Sequence, residues 1–307
     1  MEWIVARWVT FIATMLAVGA CAVGLAVMPR AETDTVTRQS IGRDVAWVGI
    51  GAVVALIPAS CMRLADQVFA LRSPGDPWFA GIEALLTSTT WGLGFFWQSA
   101  SAVLAGVGFW LVSRAPKAGW PWLPATLGAL GLCVTPAMQG HAIGAENASI
   151  LTVASDIAHV AGASLWLGSL GVIAFLGIAL PNADGIVSPA RRDRAETRLR
   201  LLIPLIPPVG IPGVALLLGS GMFATYVHLR AISELWTVQW GLYVLAKLVL
   251  VSVIVLLGAL NWRRLGPRMT TTAGVDVLRK SLVTELLLAL LVLLVTAVLV
   301  VTPLPGE

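Results

Sequence analysis

Charge is scarce in this chain. Only 12% of its 307 residues are Asp, Glu, Lys or Arg, against about 25% in a typical soluble domain, which argues against a water-soluble enzyme and against a disordered tail. Cysteine is scarce too: Cys21, Cys61 and Cys133 form no CxxC pair, so neither a disulfide framework nor a zinc module is present. There is no Walker loop, dinucleotide glycine fingerprint, GxSxG elbow or HExxH pair, so no familiar catalytic template is available and nothing supplies ATP-driven pumping. We therefore expect no enzyme. Long polar segments are missing as well, which leaves little chain for a domain outside a membrane.

Apolar residues are abundant. They make up 58% of the chain, and the mean hydropathy is +0.87. A hydrocarbon core of ~30 Å needs about 20 apolar residues in a helix rising ~1.5 Å per residue. Runs of that kind occur at about 4–28, 45–68, 90–112, 121–142, 155–180, 201–228, 239–262 and 281–302. The expected fold is an all-α polytopic membrane protein with eight transmembrane helices. Pro74 to Leu86 reads as a short interfacial helix or loop.

Basic residues are unevenly shared between connectors. Fifteen lie in the connectors between spans 1 and 2, 3 and 4, 5 and 6, and 7 and 8, with the densest runs at Arg191 to Arg200 and Arg263 to Lys280. On the opposite side there are four, Arg7, Arg63, Arg72 and Arg230, while Lys247 lies within a span. The positive-inside rule then places both termini outside the cytoplasm. The same bias accounts for the net charge of +4 without nucleic acid as a partner; membrane lipid is the expected surround. The faint lipoprotein-like string Val18-Gly19-Ala20-Cys21 follows a leader with Glu2 and a single Arg, so the first run is kept as a span.

A weak internal repeat organises the spans. Trp91-Gly92 followed by Gln98 parallels Trp240-Gly241 followed by Lys247, and Ser60-Cys61-Met62 parallels Ser220-Gly221-Met222. We expect two tandem four-helix halves, 1–145 and 146–307. Four is even, so the halves share one orientation and any symmetry axis follows the membrane normal.

The chain has only three histidines, His141, His159 and His228, and the charge bias puts all three toward the outer side. One histidine at a helix end is ordinarily structural; three on one side read as a shared metal site, since imidazole suits copper, zinc, iron and nickel. Met138 stands three residues before His141 on one helix face. Met222 stands six residues before His228, about 120° around the helix, and cannot simply chelate with it. Thioethers favour Cu(I) and imidazole also accepts Cu(II), so His141, His159, His228, Met138 and Met222 form the candidate metal set. Met15 is assigned to packing. Asp156 can orient His159 or cap a span starting near Ser155. Lys247 can snorkel, and Glu285 can serve cation passage or the helix macrodipole.

The run Asp156-Ile157-Ala158-His159-Val160-Ala161-Gly162-Ala163-Ser164-Leu165-Trp166-Leu167-Gly168 resembles the opening of the CopD copper-resistance domain. Ser220-Gly221, Trp240-Gly241 to Lys247, Gly258 to Arg264 and Leu278 to Pro303 resemble its later segments, and Gly140-His141-Ala142 the motif preceding it. The resemblance covers about Ala154 to Pro305. It implies copper as the cargo, a bacterial inner-membrane location, transport or transfer of copper across or along the helix bundle, and a separate periplasmic copper binder similar to CopC as partner. Two other readings fit the residues alone: a haem-binding electron carrier, with histidines from different helices as axial ligands, and a scaffold that delivers copper without transporting it.

Overall fold

A computed structural model describes residues 2–72, 75, 77–139, 150–178, 188–265 and 272–303, and every regular element in them is helical. Helix α1 (Glu2–Ala22) runs on through a π-turn at Val23–Val27 and a 3-10 turn at Met28–Arg30. Helix α2 (Thr35–Leu71) starts where Asp34 caps it, its carboxylate accepting from the backbone N–H groups of Val36 and Thr37. The Thr37 hydroxyl and then its backbone N–H hold the Asp34 carboxyl below the usual carboxylate range.

There follow α3 (Trp78–Ser88), α4 (Thr90–Arg114) and α5 (Trp122–Gln139). Helix α6 (Ile150–Ala163) passes through a π-turn at Ser164–Gly168 into α7 (Ser169–Gly177). Helix α8 (Pro189–Leu202) is polar, and α9 (Pro207–His228), α10 (Glu234–Thr237), α11 (Gln239–Leu265) and α12 (Thr272–Leu299) complete the described chain.

Among the described residues seven helical segments are long and apolar enough to cross a membrane: 4–30, 35–71, 90–114, 150–177, 207–228, 239–263 and 274–299. The protein is a multi-pass membrane protein. The expected fourth span is α5, which falls outside that set because two prolines, two threonines and Gln139 dilute the apolarity of its 18 residues. Other boundaries shift as well. The 155–180 run begins earlier, at Ile150, and the 281–302 run at Thr272. The 201–228 run is broken by a 3-10 turn at Ile203–Leu205, where Pro204 precedes the Pro207-Pro208 start of α9. The segment expected as interfacial is α3.

Helix α1 is the centre of the bundle, packing against α2, α5, α6, the 164–168 turn, α7 and α12. Its buried face is built from small residues, Ala6, Ala13, Ala17 and Ala20 among them. Small residues let backbones approach where lipid removes any hydrophobic drive between helices. A Cβ on Gly19 would overlap the Gly168 carbonyl carbon, and one on Gly168 the Met15 carbonyl oxygen. Here α1 crosses the 164–168 turn backbone against backbone. Large apolar side chains such as Ile57, Phe96, Leu256 and Leu287 point outward, a surface that only a bilayer makes favourable. Side-chain bonds lock the contacts: Trp8 donates to the Leu290 carbonyl at 2.9 Å and Trp97 to that of Gly131 at 2.8 Å. An Arg198–Asp44 ion pair ties α8 to α2.

Substituting Gly168 by valine should therefore destabilise the detergent-solubilised protein by about 1–3 kcal/mol or more, the usual range for overpacking. Gly51→Ala, in the middle of α2 with nothing within 4 Å of a new Cβ, should stabilise it by about 0.5–1 kcal/mol through helix propensity. Thermal unfolding midpoints moving in the same direction would contradict this packing.

Candidate functional site

One cavity of about 550 Å³ opens within the bundle. Its lining comes from the N-terminal parts of α1, α4, the 150–177 span and α11 and the C-terminal parts of α2, α5, α9 and α12. Antiparallel neighbours thus contribute opposite ends to the same depth. Most of the wall is apolar, with polar groups set into it.

One polar group is built around His159 on α6. Its Nδ1 lies 3.2 Å from Ser220 Oγ on α9, and its Nε2 lies 3.1 Å from Lys247 Nζ on α11. The Ser220 hydroxyl already donates to the Leu216 carbonyl at 2.6 Å. Ser220 Oγ is therefore the acceptor, His159 Nδ1–H the donor, and the lone pair on Nε2 accepts from the Lys247 ammonium. The Ser220-Gly221 pair has two tasks. Ser220 takes the ring proton, and Gly221 leaves room for the ring, because a Cβ there would sit 3.2 Å from His159 Cε1. Ser155 Oγ also donates to the Ser220 carbonyl at 3.1 Å, clamping α6 to α9.

His228 ends α9 and lines the same cavity. Its Nδ1 donates to the Ala224 carbonyl at 2.7 Å, and its ring leans on Trp240 with centroids 6.1 Å apart. That tautomer leaves the Nε2 lone pair available as a metal ligand. Asp156 lies within electrostatic reach of both His228 and Lys247. Neither sequence-based role for Asp156 holds: α6 begins at Ile150, so Asp156 is no cap, and His159 Nδ1 goes to Ser220. Lys247 likewise does not snorkel out but points inward to the imidazole.

Of the candidate metal set, His159, His228 and Met222 line this cavity, Met222 at its edge with 68% exposure. Met138 instead packs at Gly94 of α4, where a glycine Cβ would lie 3.1 Å from its Cβ, and is not among the lining residues. His141 lies outside the described residues. Among those described, no three His, Cys, Asp or Glu side chains form a ready-made metal cluster. Donors here are imidazole and thioether, Met15 joining Met222 in the wall.

The other polar lining residues include Arg7, Arg63, Gln98, Thr135 and Gln139, with Arg7 and Arg63 close to each other. Gln98 donates to Ser60 Oγ at 2.8 Å. Sequence reasoning assigned Arg7 and Arg63 to membrane orientation and Met15 to packing. A signal was present, since both arginines fall inside apolar runs, where charge is costly and functional by default.

Away from the cavity, Glu285 is buried and accepts a hydrogen bond from Asn261, which also donates to Ser281 Oγ at 2.7 Å. It lies well past the first turn of α12, so the macrodipole does not explain it.

Comparison with known proteins bears on this site. Residues 1–150 match the family described as copper resistance protein D-like, N-terminal domain, and residues 207–299 match copper resistance protein D. A copper transport protein, CutJ of Bacillus subtilis (strain 168), is 24% identical over 186 residues, covering 61% of this chain and 31% of that protein. No solved structure matches.

Ser220→Ala removes the hydroxyl that takes the His159 Nδ1 proton, leaving the Leu217 carbonyl as the neighbouring backbone acceptor. The expected loss is about 1 kcal/mol of stability, the usual net contribution of one hydrogen bond. Nitrogen-15 spectra of ring-labelled protein should show the His159 Nδ1 signal shifting as its partner changes. An unchanged Nδ1 signal in Ser220→Ala would contradict the Ser220–His159–Lys247 chain.

Proposed function

This chain belongs to the copper resistance protein D family, and from that premise we propose that it moves copper across the bacterial inner membrane through the His159 cavity. The observation that carries this reading is that His159, His228, Met222 and Met15 all line one cavity. Imidazole and thioether together are a copper-selecting donor set. In this reading α5 is an eighth crossing. Support comes from the alternation of N- and C-terminal helix ends around the cavity, which eight antiparallel crossings produce.

Both termini and the cavity then lie on the outer side, as the basic-residue bias requires. A separate periplasmic copper carrier similar to CopC delivers to that side. An inside-negative potential favours inward movement of a cation by ~2.3 kcal/mol per charge per 100 mV, so neither ATP nor a redox cofactor is needed. The tandem halves, 1–145 and 146–307, find support in matched details. Gly92 and Gly241 each abut the carbonyl seven residues upstream, of Leu85 and Glu234. Gln98 reaches Ser60 where Lys247 reaches Ser220 through His159.

Lys247 gives the site its working logic. Its ammonium occupies the one lone pair through which His159 can bind metal, so copper must displace it. Loading is thereby linked to movement of α11 relative to α6, and the outgoing ion is replaced by a resident cation.

Copper uptake into sealed vesicles tests the reading. The double variant His159→Ala, His228→Ala should lose more than tenfold in uptake while still inserting, and lipid-facing Ile57→Val should be unchanged. Lys247→Leu should bind copper more tightly than the native chain. Uptake unaffected by loss of both imidazoles, or an intense haem band in the purified protein, would overturn it.

A further inference from the structure

The cavity is built for copper yet its charge is wrong for a bare cation. Arg7, Arg63 and Lys247 line it, with Asp156 as the only carboxylate among its described lining residues. Lys247 has its partners in His159 and, electrostatically, Asp156. Arg7 and Arg63 have one carboxylate, Asp66, between the two of them. They stand near each other and near Asp66 electrostatically, and neither makes a hydrogen bond or ion pair among the described residues. Two guanidiniums facing a low-dielectric cavity with open donor edges attract an anion and repel a metal ion.

A second observation points the same way. Thr135 is buried, at 3% exposure, and among the described residues its hydroxyl has no partner; both polar atoms of the Gln139 amide are likewise buried and unpaired among them. Both residues line the same cavity as Arg7 and Arg63. Native proteins rarely leave buried polar groups unsatisfied, and an absent ligand is one of the standard reasons. The Thr135 hydroxyl, the Gln139 amide N–H and the guanidinium N–H groups are donors that a carboxylate accepts from, while Gln139 Oε1 is an acceptor and takes no part in that contact.

Resting on the copper reading above, we propose that the cavity takes copper as a complex with a small carboxylate-bearing chelator. The metal faces the imidazole and thioether wall of His159, His228, Met222 and Met15. The carboxylate faces Arg7 and Arg63, with Thr135 and Gln139 completing its hydrogen bonds. The anion cancels the excess positive charge of the lining, so the complex enters where the aquo ion is repelled. No bond within the chelator is made or broken; the exchange is of metal ligands only.

The test is equilibrium dialysis of the purified full chain in detergent, at fixed total copper(II), against rising citrate. A site for the bare ion must lose copper monotonically as citrate sequesters it. The complex site instead gains, with bound copper at low citrate at least tenfold above that with copper nitrate alone. Arg7→Gln, Arg63→Gln should abolish that gain, and Arg7→Lys, Arg63→Lys should keep part of it by retaining charge. The native-chain comparison stands even if either variant fails to fold. Copper bound but falling with citrate overturns this proposal and leaves the copper reading intact. A citrate gain unaltered in a folded Arg7→Gln, Arg63→Gln protein also overturns it. Copper retained in neither form overturns the copper reading and this proposal with it.

Discussion

A neutral imidazole carries one donor and one acceptor nitrogen, and in the wall of a cavity inside a bilayer each has to find a partner, because an unmet polar group there costs free energy. His159 places one on Ser220 and the other on Lys247, and much of the cavity's arrangement follows from that. The two bonds join α6 to α9 and to α11, three helices from distant parts of the chain. They fix the tautomer, hold a lysine inside a span, and oblige Gly221 to have no side chain. Ser155 on the Ser220 carbonyl adds a second tie between α6 and α9. The site is thus also a joint of the fold.

Around it the bundle is held by shape. Helix α1 meets the 164–168 turn through Gly19 and Gly168, and its small-residue face lets five other helices crowd in. That crowding sets the cavity's floor, since Thr10, Thr14 and Met15 of α1 line it. At the far end Glu285, Asn261 and Ser281 form a separate buried polar cluster between α11 and α12. The cavity and this cluster share α11 and α12.

How far the site is legible in sequence depends on distance along the chain. Periodicity and apolar runs place most spans within a few residues, because span length is dictated by the bilayer. They miss the starts of α2 at Thr35 and of α12 at Thr272, where polar residues extend a helix beyond its apolar stretch, and that of α6 at Ile150. His159, Ser220 and Lys247 each stand out individually, yet nothing local says that Lys247 reaches a ring 88 residues away, and a lysine near a span end snorkels just as well in principle. Arg7 and Arg63 satisfy a charge-counting rule and are absorbed by it, although their position inside apolar runs is the better clue. Met138 stands beside His141 on one helix face, but helix spacing does not say which face turns to the cavity, and Met138 turns to Gly94 of α4.

The central claim is that copper binds in this cavity through imidazole and thioether. The most direct test is the copper X-ray absorption spectrum of the copper-loaded full chain. The account predicts imidazole outer-shell scattering with a sulfur neighbour. The imidazole signal should fall in His159→Ala and His228→Ala, and the sulfur signal in Met222→Leu. A spectrum of oxygen neighbours alone, unchanged in these variants, would contradict it.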